Sequence, residues 1–243
     1  MTNALQRFLK ENMVLLPEGQ ETIRKFTDPN KWISSNYKMS IPSRGNSQNV
    51  RVEEVHVESF YMAKYPVTNE FYHKIIGSKR KDDRQLPKVN ISWLDAINFC
   101  NAASLYYGLE VTYSMDDSGL TFHEDKNGFY LPSDAQWQYA CKGDLKKYQY
   151  DDIDLIAWHG GNSNNQLHAV GLKKANSWGL YDMLGNVWEW CFDLYNADTY
   201  HDYRLFRGGS FAEEARICGA TTRRKSFDTF AIDDLGLRLA KSL

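Results

Sequence analysis

The sequence predicts an α+β fold: a few early helices followed by a long, loop-rich, strand-bearing half. Two patterns carry this expectation. Helix-start signals stand at Thr68, Ser92 and Ser133, and helix signals end at Gly143. From Tyr148 to Leu243, Gly, Asn and Asp punctuate short aromatic or apolar runs, as strands and loops do. Within that half, residues 176–190 hold three tryptophans (Trp178, Trp188, Trp190), two glycines and two acids. They keep neither the strand nor the helix period, so they read as a buried irregular segment. Segregated helices and strands with many irregular residues define the class.

Taken in order, the first fifty residues say least. Residues 8–16 suit a short helix or a strand, and residues 27–49, rich in Asn, Ser and Lys, read as loop. Regular structure is expected from Val50. Val50 and Val52, then Val55, Val57, Phe60 and Met62, alternate with polar neighbours, with a slip near Glu53 and Glu54 that a turn or bulge would absorb. Thr68 caps a helix through Ile76 that buries Phe71, Tyr72, Ile75 and Ile76. Ser92 and Asp95 open a second helix with Ala96, Phe99, Cys100 and Ala103 on one face up to Gly108. Pro132 precedes a third, where Ser133 and Gln136 form a capping box, Trp137 and Ala140 face inward, and Gly143 is the stop.

The chain has 243 residues, 42% hydrophobic and 14% aromatic, enough for one sizeable core. A formal net charge of -2 speaks against a general nucleic-acid binder. The basic runs Lys79-Arg80-Lys81 and Arg223-Arg224-Lys225 are short, diluted by aspartates and read as solvated faces. No apolar run reaches the ~20 residues of a membrane span. Residues 1–20 have no signal-peptide h-region, and a cytoplasmic location is expected. Cys100, Cys141, Cys191 and Cys218 form no Cys-x-x-Cys pair and read as buried reduced thiols. The six histidines are too dispersed for a histidine-built metal site.

An irregular buried segment leaves carbonyls that need side chains, water or an ion. Asp182, Gly185, Val187 and Glu189, two carboxylates bracketing a glycine turn, are candidate ligands for calcium. The alternative is that the two acids bond neighbouring amides or pair with an arginine.

Five ordered motifs carry a resemblance: Leu86-Pro87-Lys88-Val89-Asn90-Ile91-Ser92-Trp93, then residues 127–140 around Leu131-Pro132-Ser133, then Gly179-Leu180-Tyr181-Asp182-Met183 through Trp190, then Arg207-Gly208-Gly209-Ser210-Phe211, and finally Leu235-Gly236-Leu237-Arg238-Leu239. Over roughly residues 60–240 the chain resembles the formylglycine-generating enzyme, or sulfatase-modifying factor, family. The resemblance implies an irregular C-type-lectin-like fold with few helices, many loops and twisted antiparallel strands. It places that domain at residues 50–243, with residues 1–49 a divergent segment packed on or extending it. The family's enzymes oxidise a cysteine in a Cys-x-Pro-x-Arg segment to formylglycine, using oxygen and copper(I) held by two cysteines after the Gly-Gly-Ser. Here Glu213 stands at the first ligand position and only Cys218 remains, so copper is not expected. Ser210 and Trp188 match residues that line the family's active site. Cys141 matches a cysteine that in some members forms a disulfide, but its partner position is Leu239. The first calcium loop, near Asn162, looks shortened, whereas Asp182, Gly185, Val187 and Glu189 match the second, so structural calcium is expected.

Two functional readings follow. The favoured one is a non-catalytic recognition module binding a protein or peptide partner, with no nucleic acid and no membrane. Its surface would be Glu213, Glu214, Arg216, Arg223, Arg224, Phe227 and Phe230, mixed charge beside aromatic anchors. A narrower form, a variable protein of a diversity-generating retroelement, is disfavoured because the stretch after Ser210 is not enriched in Asn, Tyr, Ser and Asp. The other reading is a metal-dependent oxidase acting on a thiol or peptide, with a site rebuilt around Cys218, Ser210 and Trp188.

Overall fold

The computed structural model describes residues 3–26, 50–78, 83–117, 119–196 and 202–243. The expected loop at residues 27–49 and the basic run Lys79-Arg80-Lys81 lie outside the described residues. Regular structure starts earlier than Val50. Helix α1 (Asn3–Asn12) buries Leu5 and stacks Phe8 on Phe71. It leads into strands β1 (Met13–Leu16) and β2 (Gly19–Phe26). β3 (Val50–Val57) pairs with β2 in unbroken antiparallel register from Gly19↔Val57 to Phe26↔Val50. The expected slip at Glu53 and Glu54 is absent, because Val52 stays on the solvent face while Val57 turns inward.

β4 (Phe60–Ala63) precedes α2 (Asn69–Ile76), which Thr68 caps by accepting from the Phe71 amide. Phe71, Tyr72 and Ile75 pack on the core, but Ile76, expected to be buried, is exposed where the helix ends at left-handed Gly77. α3 (Trp93–Tyr106) starts in the Ser92–Asp95 capping box and buries Trp93, Ala96, Phe99, Cys100 and Ala103. The hairpin β5 (Tyr113–Asp116) and β6 (Gly119–Phe122) and the short β7 (Phe129–Tyr130) follow. α4 (Asp134–Lys142) has the Ser133–Gln136 capping box and ends at Gly143, where φ is 53°. One further helical turn, α5 (Ile153–Ile156), is started by the Asp152 side chain and was not apparent from apolar spacing.

The remainder is short strands: β8 (Ala157–Trp158), β9 (Leu184–Gly185), β10 (Trp188–Leu194), β11 (Arg204–Arg207), β12 (Arg223–Ser226), β13 (Leu235–Leu237) and β14 (Ala240–Ser242). The irregular reading of residues 176–190 therefore holds up to Val187, with β9 as a two-residue exception; Trp188 opens a strand. One antiparallel sheet runs β1-β4-β14-β7. A second runs β12-β11-β10-β13, with β13 parallel to β10 and the other neighbours antiparallel.

Trp93, Trp137, Trp188 and Trp190 are fully buried in the core around this second sheet. Trp93 and Trp190 donate their ring N–H to the carbonyls of Cys191 and Ile91, at 2.8 and 3.0 Å, tying β10 to the start of α3. Buried indoles need such acceptors. All four cysteines are free and buried. Among the described residues no helix is long and apolar enough to cross a membrane.

Candidate functional site

Two neighbouring arrangements meet on β10. The first is the irregular segment before it. Asp182, Gly185 and Asn186 all have positive φ (52°, 70° and 58°), which folds the chain into a tight left-handed turn. A Cβ added at Gly185 would lie 2.1 Å from the Trp158 carbonyl oxygen. Gly185→Ala is therefore expected to destabilise the protein by about 2–3 kcal/mol or more, read by chemical denaturation.

The carbonyls freed by this turn find an arginine. Arg238, wholly buried after β13, donates to the main-chain oxygens of Ala63, Tyr181 and Asp182 at 2.9, 2.8 and 3.3 Å. The same guanidinium bonds both oxygens of Glu189, with Nη2 at 2.7 Å from Oε1, and Trp137 Nε1 donates to Oε2 at 2.7 Å. Glu189 thus has its counter-charge within the chain. Among the described residues Asp182 has no direct ion pair, although the nearby Arg238 charge favours its ionised form: Oδ2 accepts from the Gly171 amide at 2.7 Å and Oδ1 from Asn186 at 3.4 Å. Burial raises its carboxyl to about 6, although the Gly171 amide pulls the other way. Of the four expected calcium ligands, Asp182 and the Gly185 and Val187 carbonyls suit a hard cation. Glu189 would have to share oxygens that already accept from Arg238 and Trp137. At the shortened first loop, Asn162 caps the His159 amide and bonds Asp154, with no second acid beside it among its bonds.

The second arrangement follows β11. Gly208 and Gly209 turn with φ of 103° and 83°, and a Cβ at Gly209 would fall 2.7 Å from the Cys218 sulfur. This turn puts Ser210 against β13, where its Oγ donates to Asp234 Oδ2 at 2.6 Å. Burial and the Glu213 charge push the Cys218 thiol up to about 12, and its nearest acceptor is the Ser210 carbonyl at 3.9 Å. Such a thiol stays protonated and unreactive near neutrality. Glu213 is bound through both carboxylate oxygens by Arg224, whose guanidinium lies 4.7 Å over the Trp188 ring.

Neighbouring loops hold this turn. Gly160 donates to the Glu213 carbonyl and Ser163 to that of Phe211, each at 2.7 Å. Tyr148 bonds Arg216 O and Thr222, and Gln149 bonds Ala215 O and Cys218 O. Cys218, Ser210 and Trp188 therefore lie around one closed and braced turn, with Trp188 joined to it through Arg224 and through Asp234, whose carbonyl accepts from the Trp188 amide.

The expected binding surface divides. Glu214 and Arg216 form an exposed pair at 2.6 Å, and Phe227 and Phe230 are 55% and 36% exposed, so neither phenylalanine belongs to the core. Arg223 is a correction. It is buried, paired with Asp134 at 3.0 Å and set 4.9 Å over the Tyr195 ring, so it belongs neither to a binding surface nor to a solvated basic face. Strand alternation turns it inward while Arg224 faces Trp188. Sequence reasoning assigned no role to Arg207, which bonds Asp134 and Gln138 in full burial, to Arg238 or to Asp234. The available signal was an arginine inside each of two short apolar strand motifs, Arg204-Leu205-Phe206-Arg207 and Leu235-Gly236-Leu237-Arg238.

The sequence model of the sulfatase-modifying factor enzyme 1-like domain matches residues 2–243. A chaperone protein, LppX of Paenibacillus barcinonensis, is 28% identical over 232 residues, 78% of this chain and 82% of that protein. The inactive C-alpha-formylglycine-generating enzyme 2 of Bos taurus is 28% identical over 199 residues, 72% of this chain; the match spans 57% of its length. Among solved structures, variable protein 1 of Treponema denticola has a TM-score of 0.77 at 24% identity, covering 95% of each chain. CarF has a TM-score of 0.72 at 22% identity, covering 95% of this chain and 98% of its own. These two share the irregular α+β fold.

Proposed function

The chain belongs to the sulfatase-modifying factor family, and we propose that it is a non-catalytic member that binds a protein or peptide through the face built on residues 210–235. One observation carries the reading: Glu213, at the position where the resemblance implies the first copper ligand, is locked to Arg224 over Trp188. A hard carboxylate committed to a guanidinium and one thiol raised to about 12 do not suit copper(I), which takes soft thiolates. The same burial of Cys218 weighs against the oxidase reading. Two relatives support a role without turnover by their names, an inactive enzyme and a chaperone. The two exposed phenylalanines supply anchors of the kind protein surfaces use. Four free thiols suit a reducing, cytoplasmic compartment. A structural calcium beside Asp182 belongs to the same proposal.

The experiment is a copper(I) titration against a competing chelator, with oxygen consumption followed on a Cys-x-Pro-x-Arg peptide. The expected result is no retained copper and no turnover. Turnover that Cys218→Ala abolishes would overturn the reading. In parallel, peptides selected from a random display library on the full chain should lose affinity for Phe230→Ala, whose melting temperature should stay near wild type. A loss of stability on the scale of a core truncation, roughly 2–5 kcal/mol, would instead show that Phe230 serves the packing of the fold rather than a partner.

A further inference from the structure

The exposed large apolar residues are scattered over the described surface, but three of them, Phe227, Phe230 and Ile232 at 55%, 36% and 40% exposure, fall within one short run after β12. Main-chain bonds hold this run in place. The Asp228 carbonyl accepts from the Leu94 amide at 3.2 Å, and the Ile232 carbonyl from the Asn90 and Leu235 amides at 3.1 and 3.2 Å. A turn closes between Phe227 and Phe230 at 3.1 Å, and the Phe227 ring meets Tyr203 edge-on at 4.2 Å. The loop is pinned through its backbone to the start of α3 while its large side chains face water. Large apolar side chains kept exposed on a fixed loop are a mark of a docking site.

Its charge names the occupant. From Phe227 to Asp234 the chain carries three aspartates and no lysine or arginine. Asp234 is buried and accepts from Ser210, which leaves Asp228 and Asp233 as the acids flanking Phe230 and Ile232 along the run. Two cations lie near this run, and both are engaged by rings: Arg204, which feels the Asp228 charge, is stacked 3.7 Å over Trp93 and donates to the Phe192 carbonyl, and Lys225 Nζ lies 4.9 and 6.0 Å over Tyr195 and Tyr203. An acidic partner would meet like charge here, and an uncharged one would leave the rim unmatched.

Building on the recognition reading above, we propose that the loop of Phe227, Phe230 and Ile232, rimmed by Asp228 and Asp233, docks a basic-apolar segment of another protein. In such a segment a lysine or arginine lies next to a large apolar side chain. The apolar residue covers the phenylalanines and the cation sits between the aspartates.

The test uses the full chain and two pools of short synthetic peptides, one interspersing Lys and Arg with Leu and Phe, the other with Asp and Glu at the basic positions. Fluorescence anisotropy should show binding of the basic pool that weakens with added salt. The double variant Asp228→Asn, Asp233→Asn should lose about tenfold or more in affinity, and Phe230→Ala at least as much. Asparagine keeps the backbone anchors of both positions. Equal binding of the acidic pool, or an unchanged double variant, would overturn the proposal. If Phe230→Ala then still weakened both pools, the recognition reading would stand and the charge assignment would fall. If neither pool bound and library peptides were also indifferent to Phe230→Ala, both would fall. Self-association of the chain abolished by Phe230→Ala would make a second copy the occupant and would also overturn the proposal.

Discussion

Arg238→Ala is expected to lower the free energy of unfolding by about 3–5 kcal/mol, the range for stripping one partner from a buried ion pair. The side chain is wholly buried and carries two loads. It neutralises Glu189, itself 1% exposed, and it supplies donors to the carbonyls of Ala63, Tyr181 and Asp182. Truncation leaves a buried carboxylate with only the Trp137 donor and strands three main-chain oxygens. Lysine should recover little, since a point charge cannot span the Glu189 carboxylate and the carbonyls as a planar fork does. The measurement is the urea midpoint with the slope unchanged. A loss below about 1 kcal/mol would mean that something other than this arginine compensates Glu189.

The contrast between helices and site explains what was legible in the sequence. The two capping boxes, Ser92 with Asp95 and Ser133 with Gln136, are contacts between residues three apart, and a sequence displays them directly. Arg238 and Glu189 are 49 residues apart, and their meeting depends on the parallel pairing of β13 with β10, which no local pattern encodes. The triplet Arg223-Arg224-Lys225 shows the same limit. As text it is a basic run; on β12 its residues alternate, so Arg223 meets Asp134 and Arg224 meets Glu213 and Trp188. The irregular segment was expected to need side chains, water or an ion for its carbonyls, and an arginine from the last motif meets two of them, at Tyr181 and Asp182. The position of Glu213 came from resemblance, but its capture by Arg224 required the structure.

Asp182 is expected to make stability depend on pH in the direction opposite to an ordinary salt-bridged carboxylate. Its carboxyl titrates at about 6 in the folded protein because burial penalises the charge, against about 3.9 in an unfolded chain. Between these values the folded state binds more protons, so stability falls as pH rises from about 4 to about 6. A shift of about 2 units corresponds to about 3 kcal/mol, present in full below pH ~4 and lost above pH ~6. Asp182→Asn keeps an oxygen for the Gly171 amide and removes the charge. In chelator the variant should therefore exceed wild type by up to about 3 kcal/mol near neutral pH and match it near pH 4. A difference that does not change with pH would show that Asp182 does not titrate in this window. Calcium enters as the other way to compensate the same charge: near neutral pH it should raise the melting temperature of wild type and leave Asp182→Asn unmoved. If calcium leaves wild type unmoved as well, the cation proposal falls and the proton alone balances Asp182.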